Sequence, residues 1–208
     1  MKKKLLSLVL AGAMVASTSV SAFADIVTTD GGTTNVTING SVDNNAGQSA
    51  AGTISVSVPT ALNFKVDKAG AVSGGEINIT NNGTDAVDVT AVKFQDNTPK
   101  TKITVKTPGE LDEDVDTRAN MVLSIGGNQI DRAYFKTEEA GNNKNGIYNA
   151  QGVNQDSGIK VSSIAGNGGT DTLALDGFAG KANLENDEAN DGVTDKFILT
   201  LKITKANS

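Results

Sequence analysis

The chain of 208 residues contains no histidine, cysteine or tryptophan, and its acidic residues outnumber the basic ones by 24 to 18. Without histidine and cysteine, the commonest general bases, thiol nucleophiles and zinc ligands are missing. The formal net charge of −6 argues against nucleic acid as a partner, because phosphates require a basic surface. The composition therefore predicts a protein that is not an enzyme, with no catalytic residue and no cofactor.

Residues 1–24 have the layout of a secretory signal peptide. Three lysines precede an apolar run from Leu5 to Ala16, and the segment ends in Ala22-Phe23-Ala24, an A-x-A cleavage site. The run is shorter than the roughly 20 apolar residues of a membrane span. We expect cleavage after Ala24 and a secreted, extracellular or cell-surface protein without stable membrane insertion. Cleavage removes three lysines and no acidic residue, so the remaining 184 residues carry a net charge of −9, and their length predicts a single domain over 25–208.

The first part of the secreted chain, residues 25–51, is called the N-terminal arm. It holds one alternating strand, with Val36, Ile38 and Val42 between polar, glycine-rich flanks. No tight hairpin joins this strand to the next one. Two alternatives follow: the arm is the first strand of its own sheet, or it pairs with the exposed edge of a second copy.

Short alternating strands follow the arm. From Gly52 to Gly70, Ile54, Val56 and Val58 alternate with serines up to Pro59, and the alternation resumes with Leu62, Phe64 and Val66. Proline lacks an N–H for a ladder, so Pro59 marks a strand end. Further strands are predicted at GEINITNN, AVDVTAVKF, KITVKT, NMVLSIGG, GIKVSSIA, DTLALDGF and DKFILTLKIT. About ten short strands separated by turn signals predict an all-β, antiparallel β-sandwich of immunoglobulin-like or jelly-roll type, with Phe64 and Phe197 in its core.

Two local predictions accompany this fold. The stretch EINITNNGTDAVDVTAVKF predicts a β-hairpin, because Ile77 and Ile79 alternate into a turn at Asn82-Gly83. Residues 108–158 are predicted to be a polar insertion or long loops, and within them DEDVDTRAN and DRAYFKTEEAG are the best candidates for short helices.

Acidic residues cluster at Glu110 to Asp116 and at Glu185 to Gly192. Paired carboxylates can catalyse glycoside hydrolysis, but sugar clefts usually present aromatic platforms and aromatic residues are 4% of the chain. Ala133 to Phe135 with Tyr148 is the one group that could form a small groove. Calcium is the other use of clustered carboxylates. Asp187, Asp191 and Asp195 are weak candidate ligands, because positions three and twelve of a calcium loop that starts at Asp187 would be Ala189 and Ile198, which have no side-chain oxygen. We therefore expect a solvated turn and no metal.

The order of GTISVSVPTALNFKV, GGEINITNNGTDAVDVTAVKF and a closing KFILTLKIT resembles secreted Gram-positive surface β-domains, and its layout is similar to the WxL family. That family is β-rich and is held noncovalently on the cell wall. The Trp-x-Leu motifs are absent, and Leu199-Thr200-Leu201 stands where the terminal motif would be. A looser resemblance is to camelysin-type biofilm fibre subunits. The resemblance implies a bacterial cell-surface or matrix structural protein whose partners are other copies of itself. The alternative is an adhesion module whose partners are cell-surface proteins or a cell-wall polymer, including a glycan.

Overall fold

The structure of the chain is a computed structural model. It describes residues 24–27, 33–37, 54–67, 69–97, 102–127, 130–138, 144–182 and 193–206. These residues form strands, turns and loops, and none of them lies in a helix. The prediction of an all-β chain is confirmed.

The larger sheet has eight strands. Its strands are β1 (Ala24–Val27), β3 (Val56–Pro59), β6 (Glu76–Asn81), β8 (Thr104–Val105), β9 (Asn120–Gly126), β10 (Ala133–Phe135), β11 (Ile147–Tyr148) and β13 (Gly169–Ala179). Their order in space is β1-β3-β6-β13-β9-β10-β11, and β8 adds to β9. The neighbours in this order are antiparallel, whereas β8 runs parallel to β9. Because β3 ends at Pro59, the predicted strand end there is confirmed.

A second sheet has four strands, in the order β12-β7-β14-β2. These strands are β2 (Thr33–Thr37), β7 (Val87–Asp96), β12 (Ile159–Ile164) and β14 (Phe197–Lys205). The remaining two strands, β4 (Phe64–Val66) and β5 (Val72–Gly74), form a separate antiparallel hairpin. The long pair of β7 and β14 runs through the centre of the four-stranded sheet.

Both larger sheets contribute to one hydrophobic core. In β14 alternate residues are buried, so that Phe197, Leu199, Leu201 and Ile203 face the core, as period-2 patterning predicts. On the eight-stranded sheet, Ile77 of β6 has the same role and is fully buried. The core is therefore built from one face of each sheet.

Four phenylalanine rings stack on one another and connect the three sheets. We call them the phenylalanine stack. Phe94 of β7 stacks on Phe135 of β10 with ring centroids 4.6 Å apart, and on Phe197 at 5.2 Å. Phe197 in turn lies 6.4 Å from Phe64 of β4. Phe197 is fully buried, and Phe64 is partly buried against the core. The predicted core position is confirmed for Phe197, whereas Phe64 lies at the margin.

The predicted hairpin at Asn82-Gly83 is wrong. β6 belongs to the eight-stranded sheet and β7 to the four-stranded sheet, so the chain crosses between sheets at this point. Asn81 explains the crossing, because its buried side chain donates to Asp85 O and to the carbonyls of Ile164 and Ala165 at the end of β12. The positive-φ turn occurs instead at Asn167-Gly168, with φ of 62° and 86°, where the chain crosses from β12 back to β13.

The two helix candidates are also wrong in the part that the structure describes. The segment from Glu113 to Val115 is a turn, and Ala133–Phe135 is strand β10. Turn residues and tertiary pairing override the weak helical pattern there. Residues 108–158 contribute β9, β10 and β11 to the eight-stranded sheet. No helix within the described ranges is long and apolar enough to cross a membrane.

Candidate functional site

The acidic turn, residues 110–116, is held in place by three lysines from other parts of the fold. Lys106 Nζ donates to both carboxylate oxygens of Asp116, at 2.7 and 2.9 Å. Lys136 pairs with Glu110, and Lys181 pairs with Glu113. The carboxylates of Glu110, Glu113 and Asp116 are thus each neutralised by a lysine, which is the arrangement of a structural turn.

The pKa values of the turn follow from these contacts. Burial opposes ionisation of Asp116, but the hydrogen bonds from Lys106 and from the backbone N–H of Asp112, together with the Lys106 charge, hold its pKa below the ordinary 3.8. Burial likewise opposes ionisation of Glu110, and bonds from Lys136 and Thr107 outweigh it, so its pKa lies below 4.5. A general acid needs a raised pKa, so neither carboxylate has the property that glycoside hydrolysis requires of its acid.

Of the three candidate calcium ligands, the structure describes Asp195 alone. Asp187 and Asp191 lie outside the described residues. Asp195 Oδ2 accepts from the backbone N–H groups of Lys102 and Ile103, at 2.8 and 3.1 Å, and its Oδ1 accepts from Lys196 N–H at 2.9 Å. This carboxylate therefore ties the start of β14 to the loop before β8. Within the ranges that the structure describes, no group of three acidic residues is placed to hold a metal ion.

The aromatic residues singled out as a possible groove are mainly packed inside. Phe135 belongs to the phenylalanine stack, and Tyr148 is 6% exposed. The Tyr148 hydroxyl donates to Glu138, and Lys136 Nζ lies 5.8 Å from the centroid of its ring. Tyr134, opposite Tyr148 in the register of β10 and β11, is half-buried. Tyr134 is thus the only member of this aromatic group whose ring is partly open to solvent.

Beside Tyr134 lies a charged pair on the same face of the sheet. The register of β10, β9 and β13 places Tyr134 opposite Ser124, and Ser124 opposite Asp176. Arg132 donates to Asp176 at 2.5 Å and to the Ser124 hydroxyl at 3.2 Å. The bond from Arg132, against a smaller effect of burial, holds the pKa of Asp176 below 3.8. We call Tyr134, Ser124, Arg132 and Asp176 the outer-face row.

The edges of the two sheets provide a different kind of site. β1 is the edge strand of the eight-stranded sheet and pairs with β3, from Ala24↔Pro59 to Val27↔Val56. β2 is the edge strand of the four-stranded sheet and pairs with β14, from Thr33↔Lys202 to Thr37↔Ile198. β1 and β2 also contact each other. One short stretch of chain therefore closes both sheets along the same side.

The opposite side of the two sheets is closed by other means. β12, the far edge of the four-stranded sheet, contacts β9 and β10, and Gly127 N–H donates to Val161 O at 3.1 Å. β11, the far edge of the eight-stranded sheet, contacts β7. Among the described strands, the side at β1 and β2 is thus the one that is closed by the first two strands in chain order.

The arm strands sit where a strand from another chain could also sit. An edge strand offers its main-chain N–H and C=O groups to any extended segment. Of the two alternatives for the arm, the structure of the single chain has the described strands β1 and β2 in the chain's own sheets, whereas Ile38 and Val42 lie outside the described residues. The sequence predicted β2 but not β1, because Ala24 to Val27 is too short to show a period. The partners lie 29 to 35 residues away for β1 and 161 to 169 residues away for β2, beyond the reach of local patterning.

Comparison with protein-family models, with curated proteins and with solved structures finds no match for this chain. The resemblance to WxL-like surface domains and to biofilm fibre subunits stays a prediction. The class that the geometry defines is an all-β chain with two large sheets and a two-stranded hairpin, in which β1 and β2 are edge strands.

Proposed function

We propose that this chain is a secreted, non-enzymatic structural protein of the bacterial cell surface or extracellular matrix, built as a β-sandwich of immunoglobulin-like or jelly-roll type that assembles with further copies of itself. The observation that carries the proposal is the position of β1 and β2 on the edges of both sheets. Edge pairing through main-chain hydrogen bonds is a general mode of association between β-domains.

The remaining chemistry of the chain is consistent with a structural role. The carboxylates of the acidic turn pair with lysines. The rings of Phe94, Phe135 and Phe197 pack in the core, and Phe64 packs at its margin. The net charge of −9 after removal of the leader keeps separate molecules apart by repulsion until a specific contact forms.

The test is to purify the exported chain and follow pelleting and fibre formation over a range of concentrations. Concentration-dependent fibres or pellets, seen by electron microscopy, are the expected result. A protein that stays monomeric at every concentration would contradict self-assembly.

A second candidate function, binding of a cell-wall polymer or another glycan, is favoured by the outer-face row. A half-buried tyrosine beside an arginine–carboxylate pair offers an aromatic edge together with hydrogen-bond donors and acceptors, as sugar-binding surfaces do. The test is retention on cell-wall and polysaccharide matrices. Loss of retention in Tyr134→Ala and Arg132→Ala, but not in the exposed-site control Asn78→Ala, is the result expected for this alternative.

A further inference from the structure

We propose that β1 and β2 transfer together, as one unit, to both open edges of a second copy of this chain. The inference rests on the proposed self-assembly and names the contact that produces it. Its acceptor is the pair of strands that β1 and β2 cover in the single chain, β3 and β14.

The short link between the two strands favours their joint transfer. Five residues, 28–32, separate Val27 at the end of β1 from Thr33 at the start of β2. An extended chain spans at most about 3.3–3.6 Å per residue, so this link reaches about 18 Å. Packed sheets lie about 10 Å apart. The link therefore fits two edges of one molecule, and it is too short to place β1 and β2 on two molecules whose edges are farther apart.

The tether that follows is long enough to reach a neighbour. Residues 38–53 lie between Thr37 at the end of β2 and Ile54, the next described residue. Their 16 residues reach at most about 55 Å. A domain of this size has a radius of gyration of about 15 Å, so the tether can span the width of one domain.

The exchanged contacts are the same as those within one chain. A transferred β2 forms the same ladder with β14, and a transferred β1 the same ladder with β3. The balance between the two states then depends on protein concentration and on the tether, as in domain swapping. If each copy gives its strands to the next, the contact does not close on itself and a filament grows.

Removal of the leader shortens one of the two ladders. β1 starts at Ala24, so cleavage after that residue leaves Asp25, Ile26 and Val27 opposite Val58, Ser57 and Val56. β2 keeps all five of its pairs with β14.

Because the chain has no cysteine, a pair of introduced cysteines can form a disulfide only with each other. Each ladder between two copies can therefore be detected separately by cross-linking. Directly opposed residues of antiparallel strands have Cα atoms about 4.5–5.5 Å apart, within disulfide range. The β2–β14 ladder is probed by mixing two exported single variants, Asn35→Cys and Thr200→Cys, which are opposed in the register. The β1–β3 ladder is probed in the same way by Ile26→Cys with Ser57→Cys. The control pair is Asn35→Cys with Thr204→Cys, since Thr204 lies on β14 beyond the end of β2.

The variants are mixed before assembly, concentrated, and oxidised, and the pelleted material is analysed on a non-reducing gel. Both probe pairs are expected to give at least tenfold more cross-linked dimer than the control pair. Assembly with neither cross-link, or with only one of the two, overturns the joint transfer while self-assembly stands. The absence of any assembly overturns both. A double variant with Asn35→Cys and Thr200→Cys in one chain tests folding and register, because the dilute monomer must then form an internal disulfide. If this disulfide does not form, the opposed pair Thr33→Cys and Lys202→Cys is used in place of Asn35→Cys and Thr200→Cys.

Discussion

Asn81 joins two crossings between the sheets through a buried side-chain amide. Its Nδ2 donates to Asp85 O at 2.7 Å and to the carbonyl of Ala165 at 3.2 Å, and its Oδ1 accepts from Gly83 N–H at 3.1 Å. Gly168 N–H at the second crossing donates to the Asn81 carbonyl at 2.8 Å. A buried polar group that is fully bonded specifies one arrangement of the chain, because each alternative leaves its partners unpaired.

We predict that Asn81→Ala lowers the free energy of unfolding by about 2–3 kcal/mol, because it leaves buried backbone groups without partners. The measurement is denaturant unfolding at neutral pH. The neighbouring exposed Asn82, whose side chain bonds to the Ser57 hydroxyl, is the control, and Asn82→Ala should cost less than about 1 kcal/mol. Equal losses in the two variants would contradict the role assigned to Asn81.

The phenylalanine stack allows a graded prediction. Phe197 is fully buried between Phe94 and Phe64, whereas Phe64 is partly buried at the margin of the core. Phe197→Ala should cost about 3–5 kcal/mol, the usual range for a buried phenylalanine. Phe64→Ala should cost clearly less, since part of its ring is already in water. Chemical denaturation of both variants tests the order, and a larger loss for Phe64 would contradict it.

At the scale of elements, the acidic turn connects the loop before β9 to the end of β13. Lys181 N–H donates to Glu113 O, and Ala182 N–H donates to Asp116 O. Gly180 lies so close to this turn that an added Cβ would be 1.9 Å from Asp116 O. The turn thus packs against the residues that follow β13, and its charges act at a structural joint.

The carboxylates of the acidic turn should make the free energy of unfolding decrease at acidic pH. The pKa values of Glu110 and Asp116 are lower in the folded chain than their ordinary 4.5 and 3.8. Groups with a lowered folded pKa contribute stability that is present above the unfolded pKa and is lost as the pH falls through the folded one. We predict that the free energy of unfolding decreases as the pH falls below about 5, and that Asp116→Asn removes part of this dependence.

The measurement is denaturant unfolding between pH 7 and pH 3. Asp131→Asn, at an exposed position outside the turn, serves as the control and should keep the dependence of the unchanged chain. A dependence that is identical in Asp116→Asn and in the unchanged chain would contradict the assignment to Asp116.

Calcium should have little effect on the melting temperature. The Asp195 carboxylate already accepts three backbone N–H groups, so it is occupied as a structural acceptor. A bound ion would stabilise the folded state by about 2.7 kcal/mol at a hundredfold excess over its dissociation constant. The melting temperature is measured with and without millimolar calcium. A calcium-dependent rise that disappears in Asp187→Ala and Asp191→Ala would show that the acidic stretch binds the ion.

The same elements explain how far the sequence could predict the fold. Period-2 alternation is a local property, and it located strands such as β6, β7 and β14 correctly. The sheet to which each strand belongs depends on distant contacts, such as that of Asn81 with Ala165, 84 residues away. The hairpin prediction was wrong for this reason. Likewise, Glu113 and Lys181 are far apart in the sequence and meet only in the fold. The sequence therefore could not show that the clustered acidic residues are paired with lysines.

At the scale of the whole molecule, stability comes from packing and strand pairing without any disulfide, since the chain has no cysteine. Both sheets share one core, and β1 and β2 close both of them on one side. These two strands are therefore part of the fold and, in the proposed assembly, the contact with the next copy.

Removal of the arm should separate these two roles. A chain that starts at Gly52 lacks β1 and β2, so the edges of β3 and β14 are open and the molecule has no strand to donate. We predict that this chain has a lower melting temperature than a chain that starts at Asp25, because two ladders are lost, and that it does not form filaments. A matched control keeps the arm but carries Asn35→Pro, which removes one N–H and the extended fit of β2.

Circular dichroism, size-exclusion chromatography and electron microscopy on the three proteins provide the measurements. A truncated chain that stays folded and monomeric while the chain that starts at Asp25 polymerises is the expected outcome, with Asn35→Pro polymerising less than the unchanged chain. Filaments of normal appearance from the truncated chain would contradict a donated arm. A truncated chain that unfolds would show that closure of both edges is a condition of folding, and the disulfide cross-links between copies would then decide whether the strands come from the same molecule or from a neighbour.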